Sequence, residues 1–149
     1  MSVDGMGDFV STMWGIGEGN KMKILGAVGY PHSLGFIYTA ITQYLGFWKY
    51  GDEYKVMGLS AFGNPVYLEK MRELIKIKNS GKFELNLDYF IFHKQGLGMV
   101  WEGGEPLVER LFSDKLIKLL GPAREKDESI EKRHEDIAAS VQALYEEVF

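Results

Sequence analysis

Val10-Ser11-Thr12-Met13-Trp14-Gly15-Ile16 sets Val10, Thr12, Trp14 and Ile16 in alternation with Ser11, Met13, Gly15 and Gly17, and Lys21-Met22-Lys23-Ile24 resumes the pattern. A period of two is the mark of a strand with two unlike faces. The segment between the runs, Gly17-Glu18-Gly19-Asn20, supplies residues that tolerate positive φ, so a hairpin joins them. Working back, Val3-Asp4 reads as the end of an earlier strand and Gly5-Met6-Gly7 as a second tight turn. Residues 1–29 therefore predict three consecutive antiparallel strands.

Working forward, the period changes at Pro31. Leu34, Ile37, Ile41, Tyr44 and Leu45 fall three and four apart, which predicts a helix capped by Ser33 and ended by Gly46. A short helix and loop follow over 52–63, then a helix over about 66–75 with Pro65 near its first turn. Phe83-Glu84-Leu85-Asn86-Leu87 alternates like a strand, and the glycine-rich stretch from Gly96 to Gly104 reads as loop. Residues 107–120 predict a helix closed by Gly121-Pro122. Residues 124–131 form a solvated linker, and Ser129 caps a last helix to about Val148. On that helix Ile130, His134, Ile137, Val141, Leu144 and Val148 share a face. The fold class is α/β, or α+β if the chain is part of a larger domain, and no internal repeat of fixed period is present.

The whole chain has 149 residues, 46% hydrophobic and 26% charged, with 18 glycines, a composition that excludes collagen-like, disordered and coiled-coil classes. A formal net charge of −4 leaves no electrostatic footprint for nucleic acid or an anionic membrane. Zero cysteines exclude disulfides and thiolate metal sites and fit a reducing compartment. Asp4 and Asp8 stand where a targeting segment needs basic and apolar residues, so the cytoplasm is the expected location. No charged residue lies between Lys23 and Lys49, but Pro31, His32, Ser33, Thr39, Thr42 and Gln43 make that stretch a buried core segment rather than a membrane span.

Two segments carry residues suited to chemistry. In Val3-Asp4-Gly5-Met6-Gly7-Asp8 a strand-end carboxylate precedes a glycine turn, where backbone N–H groups approach a phosphate unobstructed and the carboxylate can face a divalent metal. The same residues also make a plain turn. In Glu53-Tyr54-Lys55-Val56-Met57-Gly58-Leu59, Lys55 can meet a phosphate as a point charge and Gly58 permits close approach; alternatively Glu53 and Lys55 are solvated surface charges. His32, at a helix start, can meet an anion or simply pack. His134, on an apolar helix face, reads as a hydrogen-bonded structural residue. No two histidines are spaced for joint metal ligation on one element, and no P-loop, nucleophile elbow or dinucleotide fingerprint occurs.

Three segments together, residues 3–8, Pro31-His32-Ser33-Leu34-Gly35 through Tyr44-Leu45-Gly46-Phe47, and Glu53 to Leu59, resemble the O-carbamoyltransferases of nodulation-factor and antibiotic biosynthesis. Residues 133–142 are similar to a further segment of that family, and 85–90 to a weaker one. The resemblance covers nearly the whole chain in order. It implies part of an amino-terminal domain with the actin-like ATPase, ribonuclease H-like fold. It also implies a second domain that makes carbamoyl adenylate from carbamoyl phosphate and ATP, and transfer of the carbamoyl group to a hydroxyl of a sugar-containing acceptor. By resemblance Asp4 is one ligand of an iron(II) ion, Gly5 and Gly7 face the nucleotide, and Lys55, Gly58 and His32 are binding candidates.

The family's HxxxH metal histidines lie upstream of the Asp-Gly turn and its second metal aspartate lies further on. The expectation is therefore a central piece of a longer enzyme whose missing parts are its first partners. Ser60-Ala61-Phe62-Gly63 replaces the family's usual Ala-Pro-Tyr-Gly. Such a piece is expected to be inactive alone and, with an unpaired sheet edge, prone to form homo-oligomers. The alternative is a non-catalytic nucleotide-sensing or protein-interaction module on the same scaffold.

Overall fold

The computed structural model describes all 149 residues. Strands β1 (Ser2–Val3), β2 (Val10–Glu18) and β3 (Lys21–Gly29) form an antiparallel sheet in that order. Glu18 pairs with Lys21, so Gly19-Asn20 is a two-residue turn, with Gly19 at φ +60°. The three-stranded antiparallel opening is as the alternation predicts. The alternation itself breaks at a register shift between Val10 and Thr12, which buries Ser11 and Thr12 side by side and leaves Val10 exposed. Trp14 lies across its partner Gly26, where a Cβ would come within 2.2 Å of the indole.

Helix α1 (Leu34–Tyr44) is buried along almost its whole length and is the centre of the core. Its cap does two things: Ser33 Oγ accepts the Phe36 N–H at 3.2 Å and donates to the Asp4 carbonyl at 3.0 Å, tying the helix to the turn after β1. Gly46, at φ +81°, ends it as expected. Helix α2 (Glu53–Ser60) follows, then α3 (Leu68–Met71). A 3-10 turn over Arg72–Leu74 and strand β4 (Ile75–Ile77) replace the rest of the helix predicted to 75, because Ile75 pairs with Leu85 of β5 (Phe83–Leu85).

Helix α4 (Phe92–Gln95) leads into strands β6 (Met99–Glu102) and β7 (Glu105–Val108). The stretch read as a glycine loop is thus a hairpin: Glu102 pairs with Glu105, and Gly103 and Gly104, at φ +60° and +85°, make its turn. Consequently the helix predicted over 107–120 is confined to α5 (Asp114–Leu120), since Leu107 and Val108 belong to β7 and Ser113 caps the helix by accepting the Lys115 N–H. The last helix, α6 (Lys132–Val148), is capped by Glu131 rather than Ser129. Glu131 accepts the His134 backbone N–H, and His134 Nδ1 accepts the Glu131 backbone N–H at 3.0 Å. Ile130 falls outside the helix and is exposed, while His134, Ile137, Val141 and Leu144 are buried, the first as the structural residue expected. Ile37, Ile41 and Leu45 of α1 share one core cluster with the α6 residues and with Phe90, Phe92 and Leu116.

A cleft between the first turn and three helices

A cleft of about 640 Å³ opens where the turn after β1 faces α1, α2, α6 and the β6–β7 hairpin. That volume suits a nucleotide- or sugar-sized ligand. One wall is backbone. Asp4 donates its N–H to Ser11 O at 2.8 Å and gives its carbonyl to Ser33, which pins the residue, whereas the N–H groups of Gly5, Met6, Gly7 and Asp8 meet no acceptor in the chain. Gly7, Asp8 and Phe9 continue the turn at φ +55°, +48° and +76°, a backbone that side-chain-bearing residues adopt at a cost of about 1–3 kcal/mol. The turn can sit this close to α1 only because position 35 is glycine. A Cβ there would stand 2.9 Å from the Asp4 carbonyl oxygen and 3.0 Å from Gly5 Cα.

The opposite wall is side chains. Thr39 Oγ1 of α1 donates to Glu53 Oε1 of α2 at 2.6 Å. Tyr38 O–H donates to Gln142 Oε1 of α6 at 2.9 Å, and Gln142 Nε2 donates to Glu146 at 2.8 Å. Burial pushes the Tyr38 phenol up to about 12, with the nearby Glu146 and Glu53 charges adding to it, so it remains a neutral donor. Asp4 and Glu53 are the charged residues among the 19 that line the cleft, and none of the 19 is Lys, Arg or His. The side-chain wall of the cleft carries the Glu53 carboxylate, and at its turn Gly5 and Met6 have backbone N–H groups without an acceptor in the chain.

The structure brings Asp4 and Gly5 into this cleft; Gly7 lies one step further along the same turn and outside the lining. His32 faces away from it: its Nδ1 accepts the Leu85 N–H at 3.0 Å, and burial holds its pKa below the ordinary value. Lys55 also points elsewhere, pairing with Asp52 at 2.7 Å and lying 5.4 Å from the centre of the Phe47 ring. Gly58 is on the exposed side of α2 with open space around it. Sequence reasoning missed Glu53, Thr39, Tyr38, Gln142 and Gly35 as cleft residues. The signal lay in helical geometry: Glu53 and Lys55 are two positions apart, hence on nearly opposite sides of α2.

As to iron, the donor set does not fit: Asp4 is a lone carboxylate here, and no group of three or more His, Cys, Asp or Glu side chains is placed to hold a metal ion. These 149 residues do not by themselves make an iron site.

The family model described as Carbamoyltransferase N-terminus matches residues 1–149. The chain belongs to this carbamoyltransferase family. Among relatives, it is 35% identical to the uncharacterized protein sll1178 of Synechocystis over 99% of this chain and 22% of that protein. It is 28% identical to nodulation protein NolO of Bradyrhizobium diazoefficiens over 99% of this chain and 23% of that protein. Nodulation protein NolNO of Sinorhizobium fredii is 34% identical over 59% of this chain and 13% of that protein. This carbamoyltransferase N-terminal chain thus spans less than a quarter of the length of the curated relatives it matches. No helix in it is long and apolar enough to cross a membrane.

Proposed function

We propose that the chain is part of the actin-like, ribonuclease H-like domain of a cytoplasmic enzyme. In this reading the enzyme moves a carbamoyl group from carbamoyl phosphate, through carbamoyl adenylate, to a hydroxyl of a sugar-containing acceptor. The observation that carries this reading is the row of unpaired backbone N–H groups from Gly5 to Asp8, of which Gly5 and Met6 belong to the cleft lining beside Asp4. Such a row binds phosphate oxygens without a cation, which suits a cleft that contains none. In the reaction the acceptor oxygen attacks the carbamoyl carbon, its bond to the phosphate oxygen of the adenylate breaks, AMP leaves, and the hydroxyl proton is released.

Preorganised amides at the phosphate receive the charge that grows on the leaving oxygen and need no rearrangement as it develops. Lys55 and His32 serve this site through the packing of α2 and of the sheet, and Gly58 through its place on α2. The three antiparallel strands ahead of a buried helix support assignment to the actin-like class. An iron ion, when completed by residues outside this chain, would supply Lewis-acid polarisation next to Asp4; the step above rests on the amides alone.

The test is carbamoyl transfer from labelled carbamoyl phosphate, with ATP, to a sugar acceptor, using the longest polypeptide that carries these residues. Gly35→Ala, whose methyl would displace the Asp4–Gly5 turn and its amides, is expected to lower the rate by about a hundredfold or more while the protein stays folded. A variant that keeps the wild-type rate contradicts the proposal.

A further inference from the structure

Glu53 stands in the cleft with one oxygen engaged and one free. Oε1 is occupied by the Thr39 hydroxyl, Oε2 has no partner, and no basic side chain lines the cleft to neutralise it. A half-buried carboxylate of this kind gains most from ligand groups that donate hydrogen bonds and carry no negative charge. Around it the wall is apolar and partly aromatic: Met57, Tyr50 and Tyr145 line the same space. Tyr50 is two-thirds exposed, so a flat ring can slide against it from solvent. A carboxylate set among aromatic and thioether surfaces has the chemistry of a site for a polyhydroxylated ring, whose hydroxyls bond the acid while its C–H face packs on the rings.

We infer that Glu53, oriented by Thr39, is the hydroxyl-binding residue of a sugar subsite on the α1–α2–α6 wall of the cleft, opposite the Asp4–Gly5 turn. The inference deepens the transferase reading and rests on it for the occupant, because both the adenylate ribose and the acceptor carry such a ring. Glu53 is a binding residue here and Thr39 a positioning one. Thr39 holds Oε1 and fixes the carboxylate of this lining residue, leaving Oε2 without a partner in the chain. An isosteric Glu53→Gln change keeps an oxygen for the Thr39 hydroxyl and removes only the charge, so the wall stays assembled.

The test is calorimetric titration of the 149-residue chain with methyl β-D-glucoside, adenosine and 2′,3′-dideoxyadenosine, in the wild type, Glu53→Gln and Thr39→Val, with circular dichroism to confirm folding. Wild-type binding of the glucoside that weakens about tenfold or more in Glu53→Gln supports the inference with the acceptor sugar as occupant. Adenosine binding that exceeds dideoxyadenosine binding, with the difference lost in Glu53→Gln, supports it with the ribose as occupant. Thr39→Val is expected to weaken the same ligand by a smaller factor. Equal binding of hydroxylated and deoxy probes, equal binding by wild type and Glu53→Gln, or no saturable binding of any probe overturns it. None of these probes carries a phosphate or a carbamoyl group. Failure of the adenylate reading at the Gly5 turn would therefore leave the glucoside result standing, and failure of the sugar site would leave the turn intact.

Discussion

At the scale of the residue, position 35 decides how near the turn after β1 can come to the helix beneath it. In Gly35→Ala the new methyl must displace the Asp4 carbonyl or Gly5 Cα, both within 3.0 Å. The expected cost is about 1–3 kcal/mol of stability, checked by denaturant unfolding, together with weaker nucleotide binding. The histidines make a second prediction. Both His32 and His134 accept a backbone N–H through a neutral Nδ1, and burial lowers the pKa of each. The folded state holds these imidazoles neutral while the unfolded chain protonates near the ordinary value of 6.5. Their contribution is therefore complete above that pH and is lost as pH falls below it. The thermal midpoint is expected to fall between pH 7 and pH 5.5, and to fall less in His134→Asn, whose amide oxygen still accepts the Glu131 N–H. An identical fall in both proteins would show that His134 is not a source of the acid sensitivity.

At the scale of the element, two glycines of the α2 region are opposites. A Cβ on Gly63 would lie 2.0 Å from the Glu135 carbonyl oxygen in the first turn of α6, a close approach secured by the Asn64 N–H to Asp136 bond at 2.7 Å. Gly58 has open space and a helical backbone. Unfolding experiments are expected to find Gly63→Ala destabilised by about 1–3 kcal/mol and Gly58→Ala stabilised by about 0.5–1 kcal/mol. Should Gly58→Ala stabilise the chain yet weaken nucleotide binding, Gly58 serves a ligand rather than the helix. The elements themselves were legible to different degrees. The β2–β3 hairpin, α1 with its Ser33 cap and Gly46 stop, and α2 follow from local signals, each strong within a few residues. The end of α3, the β6–β7 hairpin and the start of α6 do not. Ile75 is strand because Leu85 is available to pair with it, and Glu131 outcompetes Ser129 as a cap because His134 returns its hydrogen bond. Likewise the strand-turn chemistry singled out Asp4 and Gly5, which the fold places in the cleft lining. Glu53 required knowing which side of α2 meets α1, which is set by tertiary packing.

At the scale of the whole molecule, the far half of the β2–β3 hairpin has little to cover it. Ile16 is 58% exposed, Met22 76% and Ile24 49%, and β3 has no strand on its outer side. Apolar surface on an open sheet edge favours association. Light scattering is expected to detect concentration-dependent self-association of the isolated chain, reduced in a Met22→Lys/Ile24→Lys double variant, alongside binding of a hydrophobic dye. A monodisperse monomer that ignores the dye would show that this surface is satisfied as it stands. The same openness accords with the length comparison, in which relatives more than four times as long match this chain over less than a quarter of their length. The proposed division of labour follows: these residues supply the amide turn and the acidic wall, and activation of carbamoyl phosphate belongs to polypeptide beyond them.

The central claim, that the turn after β1 and its cleft receive the adenylate, is tested most directly by calorimetric titration of the chain with a non-hydrolysable carbamoyl-adenylate analogue, compared with Gly35→Ala. The account predicts weak but saturable binding to the wild type, with no carbamoyl transfer by the chain alone, and a clear loss of affinity when the methyl pushes the Asp4–Gly5 turn away from α1. Absence of saturable binding, or equal affinity in the folded Gly35→Ala variant, would contradict it.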